Sequence, residues 1–591
     1  MNKSHYICRR MFFQVLWPSL VSALSLSVAN MADAVAVGNR MGESGLAAIG
    51  LVTPLYMIYN VIGLAFSSGG CVTHSRLAAD GQDEKALAVF RTLSLWLLGL
   101  SLAIAVLGNV FMNSMLTVLG AGSDRAELQA LCQQYGRPLI AAAPIMLFNL
   151  LLYDFVRCDN GAALATLGFS VGSILDLVLN LVFVLLFGWG VAGSAWATVL
   201  AQTVSVVIMA LHLVRGNGLL RLKAFRGLER SKEITILALR SVQLGLTTSL
   251  RYVFQFLFLT IGNRLLLQAG KRGEINGEIY VAMFDVVINI SYLIYGLYQA
   301  FSDTMQPLAT TFSAEHDKED LRYLRSLALR CGLLLGIVMA GAVALLSVPL
   351  AQLFGMRQAD GLTVAARAIP IFCLSTPFAG YLIIMTGYYQ STDQGLMAGL
   401  ATIFRTLIFL IPVTTAAGWL FPGDFWWLFL FSELGSLAAM LLADLFIGRR
   451  LRRKLADVPV YSAVMDNDNH ELARVLDGAT AFCEEREIPV KQATLIQLAV
   501  EELCLVTIQQ AFTGAKGEYI QLTLVETGEG YILHIRNSAP YFNPLDMRME
   551  RLSAESQEEL LDSVGVMMVR KRAKSLRYRN YQGFNVMTVQ F

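Results

Sequence analysis

Residues 12–42 read FFQVLWPSLVSALSLSVANMADAVAVGNRMG, a membrane-length apolar run with Pro18 near its start and one carboxylate, Asp33, near its far end. An ionisable side chain at the centre of a bilayer costs about 2.5–3.5 kcal/mol on insertion scales, so it is read as functional. Pro18 removes one helix hydrogen bond and is a candidate kink. The rest of the chain repeats the theme: of 591 residues 55% are hydrophobic and 15% charged. Such a composition describes a polytopic α-helical membrane protein whose first partner is the lipid bilayer. The net charge of +2 leaves no global basic field, and a nucleic-acid partner is excluded.

Segments of about 20 apolar residues fall near 12–38, 46–75, 88–113, 133–156, 164–187, 191–214, 236–268, 280–311, 328–354, 366–390, 396–420 and 425–448, twelve spans in all. Lys and Arg concentrate in the connections after even spans, including Arg76, Lys85, Arg215, Arg221, Lys223 and Arg226. The positive-inside rule therefore places both termini in the cytoplasm of a prokaryotic cell, with the chain in its plasma membrane. Arg9 and Arg10 serve as that first cytoplasmic flank rather than as a cleaved signal, and RRLRRK (449–454) as a stop-transfer flank. The eight cysteines show no paired spacing and the six histidines no ligand spacing, so neither a disulfide nor a metal site is implied.

A basic stretch, 216–234, separates residues 1–215 from residues 235–454, and YMIYNVIGLAFS (56–67) recurs as YLIYGLYQAFS (292–302) with a one-residue slip. Two lobes of six spans, duplicated in parallel, follow from this, the architecture of secondary transporters. Further polar residues lie within the spans. Asp176 and Asn180 are four apart and share a helix face, Thr198 lies in the sixth span, and Asp285, Asn289, Asp303 and Glu433 lie in the second half. Asp285, Asp303 and Glu433 are candidates for contact with a small organic substrate.

The patterns WPSL…MADAVAVGNRMGESGLAAIGLVTPL and GVAGSAWATVLAQ, with the six-plus-six repeat, resemble the multidrug and toxic compound extrusion (MATE) family of drug/cation antiporters over residues 1–450. The resemblance implies a cation site in the first lobe at Asp33, Asp176, Asn180 and Thr198. The family more often has Asn then Asp at the two span-five positions, so the charge here is moved by one helical turn; Thr247 stands where the family often has Pro. Two carboxylates in a low-dielectric cavity repel, so one should hold a proton or the pair a cation. Carboxylate, amide and hydroxyl oxygens are hard ligands for small cations. The coupling ion is H⁺ or Na⁺, and no organic cofactor is implied.

Residues 455–591 are charged and mixed, and read as strand, helix, helix, hairpin (turn at Gly528–Gly530), helix (562–576) and two last strands: a two-layer α/β sandwich. AVEEL (499–503), FNPL (542–545), SVGVMMVRK (563–571) and GFN (583–585) resemble the histidine-kinase-like (GHKL) ATPase fold, in particular anti-sigma-factor kinases. Glu502 stands at the general-base position, and Gly565 and Asn585 lie in the motifs. The resemblance implies that Val506 replaces the Mg²⁺-holding Asn, Asn537 and Ala539 replace the Asp and Gly of the adenine motif, and Ser563 replaces a Gly. Without those oxygens ATP and Mg²⁺ lose their contacts. A degenerate domain that docks a cytosolic protein or regulates transport is the expectation, with no kinase or ATPase activity. Two other readings of the whole chain stay open: a flippase for a lipid-linked sugar, which needs cationic residues in the cavity (Arg137, Arg240 and Arg251 are the candidates), and a membrane sensor signalling through its tail.

Overall fold

The computed structural model describes residues 5–79, 82–120, 125–215, 220, 232–392, 394–448, 459–512, 519–527, 530–539, 542–544, 557–581 and 584–591. The basic run 449–454, most of the 216–234 linker, the hairpin tip at 528–529, and the side chains of Thr247, Arg251 and Ser563 lie outside what is described.

The first helix, α1 (Tyr6–Ala79), contains both of the first two expected spans. A straight helix would place Asp33 and Tyr56 roughly 35 Å apart at 1.5 Å per residue, yet both line one cavity. The chain turns at Gly42, the one residue of α1 with non-helical angles (φ 67°, ψ −149°). That conformation is essentially restricted to glycine. An added Cβ would find open space, its nearest neighbour being the Gly355 carbonyl oxygen at 4.0 Å, so the cost of a side chain there is backbone strain alone. Gly42→Ala is therefore expected to cost about 1–3 kcal/mol, read as a lowered unfolding temperature in detergent with the transport site intact. Pro18, the expected kink position, sits inside α1 with helical angles on an exposed flank.

The following helices are α2 (Asp83–Val110), α3 (Met112–Leu119), α4 (Ala126–Ala141), α5 (Ala143–Val156), α6 (Ala162–Asn180), α7 (Gly190–Arg215), α8 (Lys232–Lys271), α9 (Gly277–Ala314), α10 (Lys318–Leu345), α11 (Ser347–Leu353), α12 (Ala359–Ser391), α13 (Gly395–Ile403), α14 (Leu410–Leu420) and α15 (Trp427–Ala443). Among the described residues nine helices are long and apolar enough to cross a membrane, or ten if the pair α4 and α5, bent by 52°, is one span. One of the nine, Asp33–His74, runs across the turn at Gly42, and α8, 40 residues long, has ample length for a further pass.

The N-lobe (α1–α7) and the C-lobe (α8–α15) meet along two seams, α1 against α9 and α1 against α8. On the side where the chain begins, Ser27 donates to the Tyr292 carbonyl at 3.0 Å, the Ser241 hydroxyl to Thr73 at 2.7 Å, and Lys85 pairs with Glu233 at 2.6 Å. On the far side Asn39 donates to the Leu353 carbonyl at 2.5 Å and Arg125 to that of Leu267 at 3.0 Å. The lobes thus touch above and below the space between them. One cysteine pair corrects the sequence reading: Cys71, on α1, and Cys158, just after α5, are bonded with Cα atoms 6.3 Å apart. They are 87 residues apart, and only the packing of α1 on α5 brings them together.

The C-terminal domain is an antiparallel sheet in the order β1-β2-β3-β5-β4, from β1 (Val460–Asp466), β2 (Tyr519–Thr527), β3 (Gly530–Asn537), β4 (Ser575–Tyr581) and β5 (Phe584–Gln590). Helices α16 (Asn469–Glu485), α17 (Val490–Val506) and α18 (Gln557–Arg572) share a core with one sheet face. Ile520, Leu522, Leu524, Leu533 and Ile535 pack there with Val475, Val500, Leu503 and Val569. Helix α18 starts five residues before the expected 562 and ends at Arg572, because Ser575 and Leu576 pair with β5 instead. The alternate residues Gln521, Thr523 and Arg536 are also buried, each with at most 3% of its surface exposed, so the opposite face of this sheet is covered as well.

Candidate functional site

A cavity of 480 Å³ lies between the lobes, lined from the N-lobe by Asp33, Asp176, Thr198, Tyr56, Tyr59 and Tyr135 and from the C-lobe by Asp285, Asn289, Tyr252, Gln255 and Tyr292. Behind the N-lobe wall, Asn180 joins two of its carboxylates. This fully buried amide donates to Asp33 Oδ1 at 2.6 Å and to Asp176 Oδ1 at 3.1 Å, and also to the backbone carbonyl of Asp176 at 3.0 Å. One NH₂ group therefore bridges two carboxylates that sit 143 residues apart in sequence. Its carbonyl oxygen, Oδ1, is buried without a hydrogen-bond partner. The Thr198 hydroxyl, bonded to the Ser194 carbonyl at 3.3 Å, is within hydrogen-bonding reach of both carboxylates.

Local sequence explains the geometry. Asp176 and Asn180 are one helical turn apart on α6, and Asn180 is its last residue, followed by a π-helical turn at Leu181–Leu186. Such wide turns interrupt helices where side chains must be re-aimed. Asp33 enters from α1, nine residues before the turn at Gly42.

The C-lobe carries a second carboxylate–amide pair of the same form. Asn289 donates to the Asp285 carbonyl at 2.9 Å and to Asp285 Oδ2 at 3.1 Å, and both residues are buried. Asp285 has no second carboxylate beside it among the described C-lobe lining residues, so this pair offers one carboxylate where the N-lobe offers two. Five tyrosines and Phe169 add aromatic faces to the lining, which suit an organic cation.

Two expected substrate contacts fall elsewhere. Asp303 accepts from Gln299 at 2.7 Å and lines a separate cleft with Gln306, Pro307, Thr310, Gln390 and Ser391. Glu433 is bound at 2.9 and 3.1 Å by Arg405 Nε, whose guanidinium lies 4.9 Å over the Tyr295 ring. The pairing neutralises Glu433, and Arg405, in a π-helical turn, was not singled out in the sequence because its partner is 28 residues away. The cavity lining includes no Arg or Lys among the described residues, and Arg137 and Arg240 are exposed away from it.

In the C-terminal domain the nucleotide-motif positions bond to one another. Asn585 donates to Asn537 Oδ1 at 3.0 Å and to the Ala539 carbonyl at 3.1 Å, Ala539 N–H donates to the same Asn537 oxygen at 3.2 Å, and Tyr578 donates to Asn585 Oδ1 at 2.6 Å. Asn537 and Asn585 are each 1% exposed. Val506 is fully buried in the core, and Glu502 lies against Gly565, where a Cβ would collide with its carboxylate. Glu502 and Gly565 are thus neighbours in space across α17 and α18.

Residues 18–182 and 271–415 match the MatE family, and residues 465–591 match the histidine kinase-like ATPase domain family. The "Multidrug export protein MepA" of Staphylococcus aureus is 22% identical over 437 residues, 73% of this chain and 92% of that protein. The "Probable multidrug resistance protein YoeA" of Bacillus subtilis is 25% identical over 244 residues, and there the match spans about half (51%) of the relative's length. Among solved structures, an inward-facing multidrug resistance MATE family transporter of the MOP superfamily superposes with a TM-score of 0.62 at 22% identity, covering 73% of this chain and 96% of that one. Its outward-facing counterpart gives 0.56, covering 76% and 97%.

Proposed function

From a chain that belongs to the MatE family, we propose a secondary efflux transporter that exchanges an inward-moving cation, H⁺ or Na⁺ with H⁺ as the favoured reading, for an organic cation, with the C-terminal domain as a regulatory module. The observation that carries the reading is the single Asn180 amide shared by Asp33 and Asp176, the two carboxylates that line the N-lobe side of the inter-lobe cavity. With its NH₂ group facing both carboxylates, Asn180 offers no oxygen to a metal ion, which favours a proton over Na⁺; a half-turn of the amide would present its oxygen and convert the same residues into a ligand set for Na⁺. Asp285, with the tyrosines around it, is the station for the substrate's positive charge. Protons or Na⁺ at the N-lobe pair and substrate at Asp285 would share one cavity and so compete electrostatically.

The absence of cationic side chains among the described lining residues weighs against a lipid-linked pyrophosphate cargo. For the C-terminal domain, an adenine-reading position whose oxygen is already taken by Asn585 and Ala539 supports a docking role over nucleotide turnover. The plasma membrane with both termini cytoplasmic is the location and orientation this reading requires.

The test is Asp285→Asn in vesicles holding the full chain. The half-saturating concentration of a cationic dye should rise about tenfold, as loss of one charge contact of about 1.4 kcal/mol predicts, while that of a neutral dye is unchanged. Equal effects on both dyes would remove Asp285 from substrate charge recognition.

A further inference from the structure

The buried polar face of the C-terminal sheet is pressed against the membrane domain at the end of the α1/α9 seam. Arg536, on β3, is 3% exposed and binds both oxygens of Glu315 through Nη2, at 2.8 and 2.7 Å. Its guanidinium lies 4.9 Å over the Phe312 ring of α9. Beside it Gln521, on β2, donates to Asp320 Oδ2 at 2.5 Å, in the first turn of α10, and to Asp317 Oδ2 at 3.2 Å, in the turn that joins α9 to α10. On the other lobe, Tyr519 of β2 packs on Tyr6 in the first turn of α1, ring centroids 4.5 Å apart. Next to it, His5 bonds Asp320 at 2.7 Å and stacks on Tyr323 at 4.1 Å. The sheet therefore grips an N-lobe residue and a C-lobe turn at once, across the line along which the lobes meet.

The charges of this contact are unequal. Glu315, Asp317, Asp320 and, at the rim, Glu319 face Arg536, His534 and His5. Burial and the neighbouring Asp320 push the Asp317 carboxyl up to about 6, and burial holds His534 below its ordinary value despite Glu315. At neutral pH Asp317 is thus mainly ionised, His534 is neutral, and Arg536 is the permanent cation that enters the acidic turn.

We propose that this contact is an autoinhibitory strap: the docked C-terminal domain holds the first turn of α1 and the α9–α10 turn together, and the lobes part on this side only after Arg536 leaves Glu315. The inference rests on the efflux-transporter reading proposed above, taken to work by the lobes parting on one side at a time. Whatever binds the C-terminal domain and draws it off the acidic turn would then switch transport on, and a domain whose nucleotide-motif side chains bond to one another is suited to protein control of that kind.

The experiment uses the full-length protein, as wild type, Arg536→Ala, and the exchanged pair Arg536→Glu with Glu315→Arg. Hydrogen exchange is followed at residues 5–12 and 311–320 for the dock and at residues 66–79 and 232–245 for the opposite seam, beside dye transport in vesicles. Arg536→Ala should raise exchange at both the dock and the seam and speed transport about threefold or more by shifting the closed-to-open ratio. The exchanged pair should return all three toward wild type. Faster exchange at the dock with an unmoved seam overturns the strap whether or not any dye is carried, and an unmoved dock overturns the contact itself. Absence of transport in every form, with the seam loosened as expected, would fault the efflux reading and leave the strap standing.

Discussion

Asp33→Asn is expected to lower gradient-driven export of a cationic dye by about tenfold or more, the loss of a coupling free energy of at least about 1.4 kcal/mol. The substitution keeps the size and shape of the side chain but removes the ability to take up and release a proton, and it turns one of the two acceptors of the Asn180 amide into a mixed donor and acceptor. Asp176 would keep its bond to Asn180 and could still bind a cation, but the pair that makes entry of one ion exclude the substrate would be gone. Substrate binding should survive, because Asp285 is on the other lobe and, among the described residues, its side chain bonds to Asn289 within its own helix. Export unchanged from wild type at matched expression would remove Asp33 from coupling.

Glu433→Ala should cost about 3 kcal/mol of stability, the low end for breaking a buried ion pair by deleting one partner. The Glu433 side chain is 8% exposed and that of Arg405 24%, which places the value at that end. Deletion leaves the guanidinium under Tyr295 without its anion, in a helix already interrupted by a π-helical turn. Replacing both residues, Arg405→Met with Glu433→Leu, should recover most of the loss, since no unpaired charge then remains. Thermal unfolding in detergent reads both. A single variant as stable as wild type would show that the pair is not structural and return Glu433 to the set of possible substrate contacts.

The parts of this molecule set by periodicity were legible in the sequence. Span length, the repeat of residues 56–67 at 292–302 and the one-turn spacing of Asp176 and Asn180 each depend on local spacing, and helices convert local spacing into shared faces. What required the fold is what joins distant segments. Asn180 as the bridge to Asp33, Arg405 as the partner that occupies Glu433, and the Cys71–Cys158 pair are all meetings across helices. The turn at Gly42 was also out of reach, because the conformation of a glycine is invisible until the chain turns. In the C-terminal sheet the alternation of Gln521 and Thr523, or of His534 and Arg536, reads as a solvent face. It is buried because the membrane domain takes the place of solvent, and the Glu315 carboxylate that receives Arg536 is 221 residues away.

The most direct measurement of the central claim is proton release on substrate binding. Purified full-length protein in weakly buffered detergent is titrated with a cationic dye while pH and bound dye are followed together. The account predicts that wild type gives up close to one proton for each dye bound, and that Asp33→Asn binds the dye but releases almost none. Equal release from both forms, or dye binding to wild type with no release, would contradict a proton held between Asp33 and Asp176 and displaced by the substrate.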